Sequence, residues 1–144
     1  MAPKSILIVS TSFPLMPGDG LSPFILELCQ HLSGLGWQVT ALVPHAPGLA
    51  DREDWGNVAV RRFRYLPQEL EDLGYSGGIL PNIRRKPWKL LKLPFYIYAM
   101  YREALRISVE EKTDLVSFQW LFPAAFWLRQ FRRSARVPVI LTGH

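Results

Sequence analysis

Ile6-Leu7-Ile8-Val9-Ser10 is followed by Thr11-Ser12-Phe13-Pro14-Leu15-Met16-Pro17-Gly18-Asp19-Gly20-Leu21, and that junction decides the fold. The first run is short and continuously apolar, as a strand buried on both faces requires. The prolines and glycines after it cannot continue a strand or a helix. Ser22 then reads as a helix N-cap and Pro23 as the first helical residue, where its missing N–H costs nothing. Ile25, Leu28, Cys29 and Leu32 make one apolar face at helical spacing, and Gly34-Leu35-Gly36 stops the helix. Val39-Thr40-Ala41-Leu42-Val43 is a second buried strand. Two parallel strands joined by a helix form a βαβ crossover, and in such sheets ligands sit beyond the carboxyl ends of the strands.

Working outward, Pro44-His45-Ala46-Pro47-Gly48 turns the chain, and Val58 to Tyr65 reads as a third strand. Its alternation slips at Arg61-Arg62, which predicts a bulge or an edge position. Pro67 to Pro87 reads as a long loop, a length typical of functional or mobile segments. A long helix starts near Pro87 or Pro94 and runs to about Glu111, with Leu93, Ile97, Met100, Ala104 and Ile107 on its apolar side. Leu115-Val116-Ser117-Phe118 is a fourth strand, Pro123 to Arg133 a helix, and Val137 to Leu141 a fifth, buried strand. The fold class is α/β: a Rossmann-like parallel sheet with helices on both faces. Ending on Thr142-Gly143-His144, directly after a buried strand, the fold reads as part of something longer.

The 144 residues are enough for one hydrophobic core, and 49% apolar with 20% charged residues is ordinary for an α/β domain. The lone Cys29 cannot form an intrachain disulfide, which points to a reducing, cytosolic setting. The most apolar region, Leu90 to Tyr101, is interrupted by Lys92 and Pro94 and falls short of a membrane span. A formal charge of +5 suits an acidic partner, whether nucleotide phosphate, anionic lipid or nucleic acid.

Four loops are predicted to share one rim: Thr11–Leu21, Pro44–Leu49, Gln119–Phe122 and Thr142–His144. Gly18-Asp19-Gly20 allows close backbone approach to a phosphate, or simply makes a tight turn. His144 offers an imidazole for proton transfer or for a sugar hydroxyl; its plainer reading is a terminal residue. His45 stands on the same rim within a proline-rich turn, and His31 reads as a surface residue. Gln119-Trp120 suits sugar recognition, the amide reading hydroxyls and the ring covering C–H faces; Trp120 is equally readable as core. Arg84, Arg85, Lys86, Lys89 and Lys92, interleaved with Trp88 and Leu90-Leu91, match a membrane-surface helix start or a solvated helix end. No Asp-x-Asp pair, His/Cys cluster or Gly-x-Ser-x-Gly elbow occurs, so metal chemistry and triad hydrolysis lack their usual parts.

Together these segments resemble the N-terminal domain of family 4 retaining glycosyltransferases of GT-B fold. The resemblance runs over the whole chain. Pro17 to Leu28 is similar to the family's glycine-containing first loop and helix, with Asp19 where many members have glycine. Gly36-Trp37-Gln38-Val39-Thr40 is similar to its Gly-His-x-Val-x entry to the second strand, with Trp37 for histidine. Arg62 to Pro67 and Tyr75 to Leu80 resemble one subgroup; Asp114 to Pro123 and Val137 to His144 resemble the family's later strands, the last ending in Thr-x-His.

The resemblance implies that residues 1–144 form an incomplete N-terminal, acceptor-side half of a two-domain transferase. It implies no cofactor and no metal. It places Gly20 at the donor pyrophosphate and His144 as catalytic residue beside the transferred sugar and acceptor; with the rim reading above, Gly18 and Asp19 join the donor-phosphate loop and Gln119, Trp120 and His45 are the candidate acceptor contacts. The nucleotide-sugar donor would bind mainly to a C-terminal domain. The acceptor would be a sugar or lipid-linked molecule, with no nucleic-acid partner. The setting would be cytoplasmic, peripheral on the inner membrane face through Arg84, Arg85, Lys86, Trp88, Lys89 and Lys92. Two rival readings are a non-catalytic membrane- or partner-binding module and a flavodoxin-like nucleotide-binding domain.

Overall fold

A computed structural model describes residues 4–14, 16, 23–73, 79–119 and 128–142. Its elements in chain order are β1 (Ser5–Val9), α1 (Pro23–Gly34), β2 (Gln38–Pro44), β3 (Arg52–Trp55), β4 (Val58–Phe63), α2 (Ile79–Arg85), α3 (Leu93–Glu110), β5 (Leu115–Phe118), α4 (Leu128–Ala135) and β6 (Val139–Leu141). Single 3-10 segments at Gln68–Leu70 and Pro87–Lys92 precede α2 and α3. The strands form one six-stranded sheet in the order β3-β4-β2-β1-β5-β6. β4, β2, β1, β5 and β6 run parallel, and β3 is antiparallel to β4.

The apolar run of β1 serves both faces because successive side chains point oppositely. Leu7 and Val9, with Leu42, Val116 and Phe118, pack against Tyr96, Met100, Ala104 and Ile107 of α3 and Phe131 of α4. Ile6 and Ile8, with Val39, Ala41, Val43, Val58 and Val60, pack against Phe13 and the α1 residues Ile25 and Cys29. Each fully buried Val, Leu, Ile, Phe or Met side chain among them contributes about 1.5–3 kcal/mol. Helices therefore cover both faces of the central strands, as the fold class requires.

Glycine ends α1 as expected: Gly36 takes φ +98, while Trp37 N–H bonds Leu32 C=O and Gly36 N–H bonds Ser33 C=O. The same cap closes α3 without glycine. Lys112 holds φ +50, its N–H reaches Val109 C=O, and Thr113 N–H bonds Ser108 C=O at 3.1 Å.

Three expectations need correction. β4 is neither an edge strand nor displaced by a bulge, because β3 pairs along its outer side, Trp55 opposite Val58 and Arg52 opposite Arg61. The hairpin turn places Gly56 at φ +65, which glycine adopts without a Cβ penalty. Arg62 tolerates the interior because its guanidinium donates to Ala50 C=O at 2.8 Å and to Glu53 Oε2 at 3.1 Å. The predicted loop from Pro67 to Pro87 contains α2, whose Ile79 is buried and packs in the α3 core. The long helix begins at Leu93, beside Pro94 as expected, with Pro87–Lys92 winding as a 3-10 segment ahead of it. Finally, β6 is half-buried rather than buried: it bonds only β5 within the described sheet, and Ile140 is 49% exposed.

Candidate functional site at the carboxyl rim

The five parallel strands deliver their carboxyl ends to one rim. Main-chain bonds tie the residues just beyond them: Ser10 N–H to Leu42 C=O, Gln119 N–H to Val9 C=O, His45 N–H to Phe63 C=O and Thr142 N–H to Phe118 C=O. The chain builds outward from β1 through β2 to β4, then returns to β5 on the other side of β1. β1 and β5 therefore flank the topological switch point, where sheets of this kind hold ligands. Val9 pairs with Phe118, so the loop after β1 and the segment after β5 leave side by side. Adjacent strands lie about 4.8 Å apart, which puts the end of β6 about 10 Å from the end of β1.

The loop after β1 begins with a local turn in which Ser12 N–H donates to Ser10 Oγ and that hydroxyl donates to Ser12 C=O at 2.6 Å. Phe13, fully buried against Trp55 with ring centroids 5.2 Å apart, anchors the loop to the sheet. Gly18, Asp19 and Gly20 lie outside the described residues, as do Trp120 and His144.

Gln119 stands at the switch point but faces inward. It is 3% exposed, and its amide donates to Ser117 Oγ at 2.7 Å. This brace holds the end of β5.

His45 departs from its expected role as an acceptor contact. The ring is fully buried, with Nδ1 2.6 Å from Glu71 Oε1 and Nε2 2.7 Å from Leu49 C=O. Both nitrogens are engaged inside the protein, so the imidazole is not presented to a ligand at the rim. Glu71 is the partner of His45 that sequence reading missed. Its second oxygen accepts Tyr65 N–H at 3.2 Å, Tyr65 Oη accepts Leu73 N–H at 3.1 Å, and Asn82 Nδ2 donates to Leu73 C=O. No spacing signal links His45 to a carboxylate 26 positions away in a segment read as loop. Beside this network Arg64 donates to Asp51 at 2.7 Å, and that bond raises the guanidinium pKa above its ordinary value.

The basic stretch divides in two. Lys89 and Lys92 are buried, 3.1 and 2.7 Å from the two oxygens of Asp72, and Lys92 also donates to Leu70 C=O. They are withdrawn from the expected membrane-facing set by this pairing. Arg84, Arg85 and Lys86 remain exposed, beside Trp88 at 55% and Leu91 at 77% exposure. No helix among the described residues is long and apolar enough to cross a membrane.

Comparison with solved structures agrees with this topology. A sucrose-phosphate synthase structure from Thermosynechococcus elongatus superposes with a TM-score of 0.60 at 15% identity, covering 98% of this chain and 64% of that one. A second structure of that synthase gives 0.64 at 16% identity, covering 98% and 33%. Os79 from O. sativa, determined in complex with UDP, gives 0.57 at 17% identity, covering 94% and 28%. The chain thus spans from 28% to 64% of the length of these structures, and the likeness is one of fold. No curated protein matches the chain. The sequence pattern of the glycosyl transferase 4-like domain matches residues 19–144, all but the first strand and part of its loop. The chain belongs to the glycosyl transferase 4-like domain family.

Proposed function

We propose that this domain is the acceptor-side half of a retaining, hexosyltransferase-type enzyme that moves a sugar from a nucleotide-diphosphate sugar to an acceptor hydroxyl. The switch point between β1 and β5 carries the reading, since the chain that leaves β1 there runs on in sequence to Gly18, Asp19 and Gly20. The UDP bound in the Os79 structure supports a nucleotide-linked donor. In this proposal the donor is held mainly by a second domain, while the first loop and His144 complete the cleft. The departing phosphate accepts the acceptor proton on the face it leaves, which retains configuration.

The isolated 144 residues transfer no sugar on this reading, because one half alone supplies little transition-state stabilisation. In a polypeptide carrying both halves, His144→Ala lowers turnover on the order of a hundredfold while nucleotide-sugar affinity stays near normal. Steady-state rates and donor titration measure the two effects. Unchanged turnover removes His144 from the site, and transfer by the isolated chain overturns the two-domain proposal.

A membrane-facing role is favoured by one observation. Trp88, Leu90, Leu91 and Phe95 are all more than half exposed next to Arg84, Arg85 and Lys86. This surface docks on anionic lipid at the inner face of a membrane and brings the rim to a lipid-linked acceptor.

A further inference from the structure

The His45–Glu71 contact fixes a proton count. A carbonyl oxygen only accepts, so Nε2, 2.7 Å from Leu49 C=O, must carry a hydrogen. Nδ1 and Glu71 Oε1 are 2.6 Å apart, and two lone pairs cannot face each other at that separation. One more hydrogen must lie between them. Glu71 Oε2 accepts from Tyr65 N–H, a contact that needs no proton on that oxygen.

We propose that His45 and Glu71 are a positioning pair that holds two protons in the folded state, and that this buried clamp fixes the segments after β2 and β4 at the rim. The pair is neutral overall, written as imidazolium–carboxylate or as imidazole–carboxylic acid. That neutrality is why both groups can be fully enclosed. It spans three stretches of chain: the turn at residues 45–50, the strand exit at Tyr65, and the approach to α2. The inference goes beyond the proposed transfer reaction and holds whatever ligand the rim takes.

Asp51 Oδ1 lies 3.7 Å from Nε2 and is occupied by Arg64, while Arg62 donates to Ala50 C=O in the same turn.

The carboxamide of Glu71→Gln supplies its own hydrogen. It donates to Nδ1 of a neutral His45 and accepts from Tyr65 N–H, keeping every bond with one titratable proton fewer. The test is nitrogen NMR of the His45 ring with carbon NMR of the Glu71 carboxyl, on the 144-residue chain at neutral pH. Two protons summed over ring and carboxyl support the proposal, and a neutral ring beside an ionised carboxylate overturns it.

Hydrogen exchange gives a second readout. In His45→Ala, protection of the Tyr65 and Leu73 amides drops on the order of tenfold or more, while in Glu71→Gln it stays near that of the unaltered chain. Equal protection in all three proteins overturns the clamp. Should either variant fail to fold, the proton count in the unaltered chain decides alone.

Discussion

Lys92 Nζ lies 2.7 Å from Asp72 Oδ1, and Lys89 reaches the other oxygen of the same carboxylate. Two buried ammonium groups thus depend on one acidic side chain. Lys92 also sits 4.6 Å from the centre of the Trp88 ring, so the arrangement fixes the 3-10 segment ahead of α3.

Asp72→Asn should therefore destabilise the fold. Breaking a fully buried pair costs about 3–5 kcal/mol, but solvent reaches the Asp72 carboxylate and reduces the effect to about 1–2 kcal/mol. Partial burial works against ionisation of Asp72, yet the hydrogen bonds from Lys92 and Lys89 outweigh it and hold its pKa below the ordinary value. A lowered folded pKa means that this stability is present above the unfolded aspartate pKa and is lost as pH falls through the folded one. Urea midpoints against pH check both points: the variant is weaker at neutral pH and the gap closes in acid.

Cys29 should resist thiol reagents while the chain is folded. It is fully buried, and that burial pushes its pKa to about 12 against a smaller opposing backbone hydrogen bond. Only the thiolate reacts, so labelling at pH 8 follows unfolding rather than the native state. The sign for stability is the reverse of Asp72: the raised folded pKa gives a contribution present below the unfolded thiol pKa and lost as pH climbs beyond it. Rapid native labelling would contradict the placement of α1 on the sheet.

Lys112→Gly should stabilise the protein. A non-glycine residue in the left-handed region costs roughly 1 kcal/mol, and Lys112 occupies the cap position that glycine usually fills. A gain near 1 kcal/mol raises Tm by about 2–4 °C in a chain of this size. Calorimetry on the pair measures it, and a lower Tm would show that the lysine side chain matters more than its backbone.

Arg84, Arg85 and Lys86 provide the electrostatic part of the proposed membrane contact. Each basic residue near an anionic surface is worth about 1 kcal/mol, weakened by salt. Replacing all three with glutamine should abolish sedimentation with acidic vesicles at moderate ionic strength. Lys89→Gln should affect folding more than binding, because its ammonium is committed to Asp72. Equal sedimentation with neutral vesicles would remove the charge argument.

The parallel core was legible because its signal is local. Buried strands of four to seven residues such as β1, β2 and β5 read directly from continuous apolar runs, and Gly36 marks the end of α1 by its backbone alone. The β3–β4 hairpin was not recognised, although Gly56-Asn57 between Trp55 and Val58 is a two-residue turn signal. Arg52-Glu53-Asp54 hid it, since an edge strand can be charged where a central one cannot. The buried ionic contacts were illegible for a different reason. Whether Lys89 faces lipid or Asp72 depends on where a distant segment folds, and helical spacing contains no record of that. His45 was correctly assigned to the rim, but its burial depends on Glu71, which nothing nearby in sequence reveals.

Glu71 and Asp72 are neighbours in the chain, yet one reaches the His45 ring and the other the two lysines ahead of α3. Surface connections ordinarily accept added or deleted residues. Here a single residue inserted between these two carboxylates would shift one relative to the other by about 3.8 Å along the chain. Only one anchor could then be kept. The approach to α2 is therefore a connection whose length is as constrained as that of a strand, and variation in this part of the domain should fall elsewhere.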